Sequence, residues 1–65
     1  ADSNIGKEAV VTEEIDNLRG RGAVKIAGVE WSARSEDGSV VEKGAVVRIR
    51  RIEGVKVCVQ RAQEN

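Results

Sequence analysis

An all-β fold, five strands joined by short turns and rolled into a small barrel or curved sheet, is what this sequence predicts. Three observations carry that prediction. The chain has no Phe, Tyr, Met, His or Pro, so its core must come from Val, Ile, Leu, Ala and the single Trp31, and an excess of valine favours strands. The stretch Val24 to Arg34, V-K-I-A-G-V-E-W-S-A-R, sorts cleanly as a hairpin. A second valine-rich hairpin, Ala45 to Gln60, keeps its apolar residues on one face only if it carries a bulge.

The 65 residues make one domain at most, and a chain this short buries only about 60% of the surface exposed on unfolding. We expect a single domain over 1–65, with 1–4 and 61–65 as flexible ends. The opening Ala1-Asp2-Ser3-Asn4 is compatible with a native start or with a cut from a longer protein.

Taken in order, Glu8 to Glu13 reads as the first strand, centred on Val10 and Val11. Ala9, Val11 and Ile15 share odd positions, yet Val10 and Thr12 are equally strand-like, which fits a bulge or a strand shared between two sheet faces. Asp16 to Gly22 is a loop rich in Asn, Gly and charge. Its two glycines, Gly20 and Gly22, suggest a close backbone approach into the second strand. They do not form a phosphate cradle, because a strand rather than a helix N-terminus follows.

In the first hairpin, a two-residue loop at Ala27-Gly28 sets Ile26 opposite Val29, Lys25 opposite Glu30 and Val24 opposite Trp31. Val24, Ile26, Val29, Trp31 and Ala33 then share a dry face, while Lys25, Glu30, Ser32 and Arg34 face water. A one-residue slip would bury the Lys25:Glu30 pair and expose the tryptophan. Trp31 is therefore expected to be largely buried.

The segment Ser35 to Gly44 is too short and too rich in glycine for a helix of ordinary length. The fourth strand runs Ala45 to Ile52 and the fifth Val55 to Gln60, across a turn at Glu53-Gly54. Uninterrupted pairing would set Arg50 against Val57 and Arg48 against Val59. An extra residue at Arg50-Arg51 instead lets Ile49 meet Val57 and Val47 meet Val59 while Ile52 meets Val55, and the bulge also bends the strand as a small barrel requires.

Eleven basic and eleven acidic side chains cancel, so no global field draws the chain to nucleic acid or anionic lipid. Residues 1–47 hold six basic and nine acidic groups, residues 48–65 five and two, which makes the C-terminal hairpin locally positive. Arg48, Arg50, Arg51 and Lys56 are its candidate partner contacts; the same charges would also protect an exposed edge strand. Cys58 has no second thiol or imidazole with which to form a disulfide or share a metal, and between Val57 and Val59 it reads as a semi-exposed structural residue. A reducing compartment is the simpler assumption. Glu13, Glu14 and Asp16 form a solvated acidic loop. No catalytic, cofactor or metal residues are expected, and no apolar run approaches the roughly 20 residues of a membrane span.

The pattern Gly22-x-Val24-x-Ile26-x-Gly28-x-Glu30-Trp31-x-Ala33-Arg34-Ser35, then Gly44-x-x-Val47-x-Ile49, then Glu53-Gly54-Val55-x-Val57-x-Val59, resembles the C-terminal soluble domain of NfeD-like membrane proteins. The likeness spans Ile5 to Gln60. Ala9 and Ala27 depart from it, standing where the family often has glycine and where an Asp or Gly commonly precedes Gly28. The resemblance implies an OB-fold-like five-stranded barrel, here read as built from consecutive hairpins. It also implies attachment to membrane helices absent from this chain, a place at the cytoplasmic face, and protein partners of the stomatin and flotillin type. A free-standing OB-fold domain that binds oligonucleotides is the alternative, opposed by the lone tryptophan on the predicted dry face and by zero net charge.

Overall fold

The computed structural model describes residues 4–62. Five strands appear in the expected places: β1 (Glu8–Asp16), β2 (Arg21–Ile26), β3 (Val29–Ser35), β4 (Val46–Glu53) and β5 (Lys56–Arg61). They close into a barrel in the order β1-β2-β3-β5-β4, and no helix occurs among the described residues. The fold is thus the all-β, OB-like barrel the sequence predicts. The expected loose ends lie largely outside the described residues; within them, Arg61 pairs with Val47 and the Ala62 N–H donates to the Val46 carbonyl at 3.0 Å.

One connection is not a hairpin. β3 pairs with β5, in parallel, through Ser32↔Lys56 to Ser35↔Val59, so the chain leaves β3, crosses the barrel end through residues 36–45, and returns as β4 against β1. Parallel neighbours cannot be joined by a tight turn, and the intervening segment supplies the necessary length. It is tied to the barrel at three places. The Glu36 N–H donates to the Val59 carbonyl at 2.8 Å, and the buried Val41 exchanges backbone hydrogen bonds with Ile15 at 2.9 and 3.0 Å. Near its end the Gly44 N–H donates to the Val11 carbonyl at 2.8 Å, while the Ala45 carbonyl accepts from the Val11 N–H at 2.9 Å.

The first hairpin has the predicted register at every pair, Ile26↔Val29, Lys25↔Glu30 and Val24↔Trp31. Its loop takes positive φ at both Ala27 (50°) and Gly28 (83°), the type I′ geometry that matches strand twist. Exposure departs from expectation at the rim. Trp31 is half-buried and Val29 is 56% exposed, because the dry face runs off the end of the barrel just after the turn.

The second hairpin bulges where the charges require it, between Ile49 and Arg51, with Arg50 as the extra residue. Its register is corrected by two residues: Ile52 meets Val57, Ile49 meets Val59 and Val47 meets Arg61. The turn centres on Gly54-Val55 rather than Glu53-Gly54, since Gly54 alone takes the positive φ (64°) and a type I′ loop at Glu53-Gly54 would force Glu53 into the same left-handed region. A shift of two leaves every side chain on its face, so the inward set survives.

That inward set is the core: Ala9, Val11 and Ile15 of β1, Val24 and Ile26 of β2, Ala33 of β3, Val47 and Ile49 of β4, Val57 and Val59 of β5, and Val41. Each fully buried Val or Ile contributes about 1.5–3 kcal/mol. β1 serves both sides of the barrel, pairing with β4 through Glu8 to Val10 and with β2 from Val10 onward, with register shifts on either side of Glu13. Val11 and Ile15 are four positions apart and share a face as strand alternation requires, while Glu13 between them, of the same parity but flanked by the two shifts, stands exposed. The close approach expected at the Gly20 and Gly22 pair falls on Gly22, where an added Cβ would lie 2.6 Å from the Ala33 carbonyl oxygen.

Candidate partner-binding site

Inserting β5 beside β3 sets two loops on either side of β3 and β5, the β1–β2 connection and the β4–β5 turn. Between them lies a cleft of about 310 Å³. Asn17, Gly20 and Arg21 form one wall, Glu53 and Lys56 the other, with Ala33 and Arg34 between. The first wall is fixed by a two-point clamp. Asn17 accepts from the Ser35 N–H at Oδ1 and donates from Nδ2 to the Ser35 carbonyl, both at 2.9 Å, so a carboxamide stands in for a neighbouring strand. Ser35 itself is buried, and its hydroxyl donates to Asp37 at 2.8 Å. Asp37 also accepts from the Ser39 N–H and hydroxyl. These donors, Ser39 first, hold its carboxyl down at about 2.

The four predicted contacts all lie on the β4–β5 hairpin, but three are already engaged. Arg48 pairs with Glu8 at 3.1 Å and donates to the Gly6 carbonyl at 3.1 Å. Arg50 and Arg51 share Glu36 at 3.4 and 3.1 Å, and Arg51 also holds Glu53 at 2.7 Å. The hydrogen bond from Arg51 lowers the Glu53 carboxyl below its ordinary range, and the same bond raises the Arg51 guanidinium. Lys56 differs. It lines the cleft, and among the described residues no carboxylate lies within 4.0 Å of it.

Cys58 is corrected from semi-exposed to buried, at 1% exposure. Its neighbours in the ladder are Arg34 and Arg51, whose long stems can cover apolar surface while their charged ends stay wet. Burial pushes the thiol up, which disfavours the thiolate a nucleophile or metal ligand needs. Glu13, Glu14 and Asp16 lie at the end of β1 rather than in a loop; Glu13 and Glu14 are exposed, and Asp16 pairs with Arg19 at 3.6 Å. No group of three His, Cys, Asp or Glu side chains among the described residues could hold a metal.

Asn17, Arg21 and Arg34 were not legible as site residues, because nothing local in the sequence joins them to Lys56. The only available signal was Asn17 within a glycine-rich loop.

A family model described as the NfeD-like C-terminal, partner-binding domain matches residues 1–61. The chain belongs to that family. The NfeD-like domain is also similar to two solved structures. One is the C-terminal domain of stomatin operon partner protein 1510-C from Pyrococcus horikoshii, at 33% identity and a TM-score of 0.84, covering 97% of this chain and 94% of that one. The other, from Corynebacterium glutamicum, is the soluble domain of a membrane protein implicated in regulation of membrane protease activity, at 29% identity and a TM-score of 0.85, covering 94% of this chain and 95% of that one. No curated protein matches the chain. The expected family and barrel are therefore both found, and the family's description makes this a partner-binding domain.

Proposed function

We propose that this NfeD-like domain is the non-catalytic binding module of a membrane-anchored protein, working at the cytoplasmic face with a partner of the stomatin or flotillin type. The observation that carries the reading is the match over 1–61 to a partner-binding domain, joined to the likeness with a protein whose name places it in a stomatin operon. This reading places the anchor in other parts of the full-length protein; no helix of the described residues is long and apolar enough to cross a membrane.

The contact surface in this proposal includes the outer face of the β4–β5 hairpin, with Arg48, Arg50, Arg51 and Lys56. The three arginine side chains are 45–51% exposed, and their carboxylate partners hold them in place without neutralising every donor. Five N–H donors on each guanidinium leave some free for a second carboxylate. Such contacts raise the association rate and fix register more than they add affinity.

The test is a chemical-shift titration of the isotope-labelled chain with the purified soluble part of a stomatin-type protein from the same organism. Binding should perturb Arg48 to Arg51 and Lys56 and weaken as salt rises, because exposed charges are screened beyond about 8 Å at physiological ionic strength. Saturable binding that leaves the hairpin unmoved removes the surface. No binding at all removes the stomatin-type partner.

A further inference from the structure

Lys56 links the basic hairpin to the cleft, and the cleft has a character of its own. We propose that it receives an extended acidic segment of the partner, with carboxylates against Arg21 and Lys56 and aliphatic side chains against Leu18 and Val55 at its rim. This deepens, and rests on, the partner-binding reading above.

The charge of the cleft is the first argument. Three cations, Arg21, Arg34 and Lys56, face one carboxylate, Glu53. Glu53 is committed to Arg51 at 2.7 Å and touches Arg34 only at 3.5 Å. Among the described residues neither Arg21 nor Lys56 has a carboxylate within 4.0 Å. The cleft therefore holds unspent positive charge, whereas the arginines beside it are mostly paired.

The second argument is apolar. Leu18 is 99% exposed and Val55 81%, the two most exposed large hydrophobic residues among those described. An isolated exposed leucine or valine needs no explanation. Neither lines the cleft itself, but each adjoins a residue that does, Leu18 following Asn17 and Val55 preceding Lys56, so one stands at each side of its rim. The Asn17 clamp on Ser35 holds the Leu18 loop down, and Val55 sits in a two-residue turn closed by the Glu53↔Lys56 pair, so each aliphatic tip is carried by a short, tied segment.

The third argument excludes other occupants. Barrel closure gives every described strand a neighbour on both sides, leaving only short unpaired stretches such as Val29–Trp31 beyond the end of β5, so no full-length edge invites a partner strand. Trp31 lies on the opposite face of β3 from Arg34 and packs against the core. A nucleobase would find no aromatic platform in the cleft. A volume of about 310 Å³, at the small end of ligand pockets, suits a few side chains of an extended segment rather than a docked helix.

The experiment titrates the labelled chain with a short synthetic peptide alternating glutamate and leucine, in parallel with a lysine-leucine peptide of equal length and with oligo(dT). Saturable shifts at Asn17 to Arg21, Arg34 and Val55-Lys56 are expected with the acidic peptide alone. The double variant Arg21→Glu/Lys56→Glu should weaken that binding about tenfold or more, as should Leu18→Ser/Val55→Ser, while both keep the dispersed amide spectrum of the folded barrel. Equal binding of the basic peptide, stronger cleft binding of oligo(dT), shifts confined to other surfaces, or unchanged affinity in the charge variant each overturn the proposal. Because the probe is synthetic, the stomatin-type titration stands apart from it. If that protein binds and the Arg21/Lys56 variant binds it equally well, the cleft assignment fails and the partner-binding reading remains.

Discussion

Replacing Gly22 by alanine should cost this domain about half of its stability. The residue sits at φ 147°, a conformation that costs a side-chain-bearing residue about 1–3 kcal/mol. An added Cβ would also lie 2.6 Å from the Ala33 carbonyl oxygen, 3.0 Å from the Ile15 Cα and 3.0 Å from its Cγ1. Two of these three atoms are backbone, on β3 and β1, so relief requires parting β2 from its neighbours. Overpacking of this kind adds about 1–3 kcal/mol, for a total near 4 kcal/mol. A chain of this length is stable by about 3–10 kcal/mol. Gly28→Ala is the control, since Gly28 also has positive φ (83°) but nothing within 4 Å of the added carbon. It should lose only about 1–2 kcal/mol. Urea unfolding followed by far-ultraviolet circular dichroism measures both. Equal losses in the two variants would show that no close approach exists at Gly22 and that the β1–β2–β3 packing described above is wrong.

Ala27→Asn should stabilise the barrel by about 0.5–1 kcal/mol, because Ala27 is the one described non-glycine residue at positive φ (50°) and Asn tolerates that region; a lower urea midpoint would contradict the type I′ loop. Asn17→Ala should cost about 2 kcal/mol by stripping the Ser35 N–H and carbonyl of their partners, and should speed amide exchange at Ser35; an unchanged Ser35 amide would refute the clamp. Asp37 titrates at about 2 in the folded chain against about 3.9 when unfolded. A depressed carboxyl pKa contributes stability in full above the unfolded value and loses it as pH falls toward 2. Asp37→Asn should therefore flatten the stability profile between pH about 4 and 2, and superimposable profiles would show that the Ser35 and Ser39 donors are not coupled to folding.

The elements legible in the sequence are those set by neighbours along the chain. Lys25:Glu30 and Val24:Trp31 fix their own register, since any slip exchanges polar for apolar residues. The bulge at Arg50 was legible for the same reason, from arginines falling where valines were needed. The turn at Gly54-Val55 was missed by one residue because apolar pairing cannot distinguish registers that differ by two. Only the backbone demand for positive φ at Gly54 and not at Glu53 decides it. The half-exposure of Trp31 depends on where the barrel ends, and no local pattern carries that. Least legible was the parallel pairing of β3 with β5, whose partners lie far apart in the chain.

That same pairing explains why the basic hairpin was conspicuous in the sequence while the cleft was not. Counting charges along residues 48–65 registers Arg48, Arg50 and Arg51 but cannot register the acids that reach them, Glu8 from β1 and Glu36 from the crossover. Once the strands close, those pairs absorb much of the apparent excess, and a charge counts toward recognition only to the extent that folding leaves it unmatched. Arg21 and Lys56 meet that condition and are scattered in the sequence. They meet at one cleft only because β5 lies against β3, with Ser32 beside Lys56, and because the Asn17 clamp holds the loop that leads into Arg21 over Ser35. If the proposed cleft is the recognition site, recognition depends on topology more than on composition. A variant that loosens the clamp, such as Asn17→Ala, should weaken the acidic peptide even though Asn17 carries no charge. If that variant bound the peptide as tightly as the parent while its Ser35 amide exchanged freely, the charges alone would suffice and the pre-formed loop would be irrelevant.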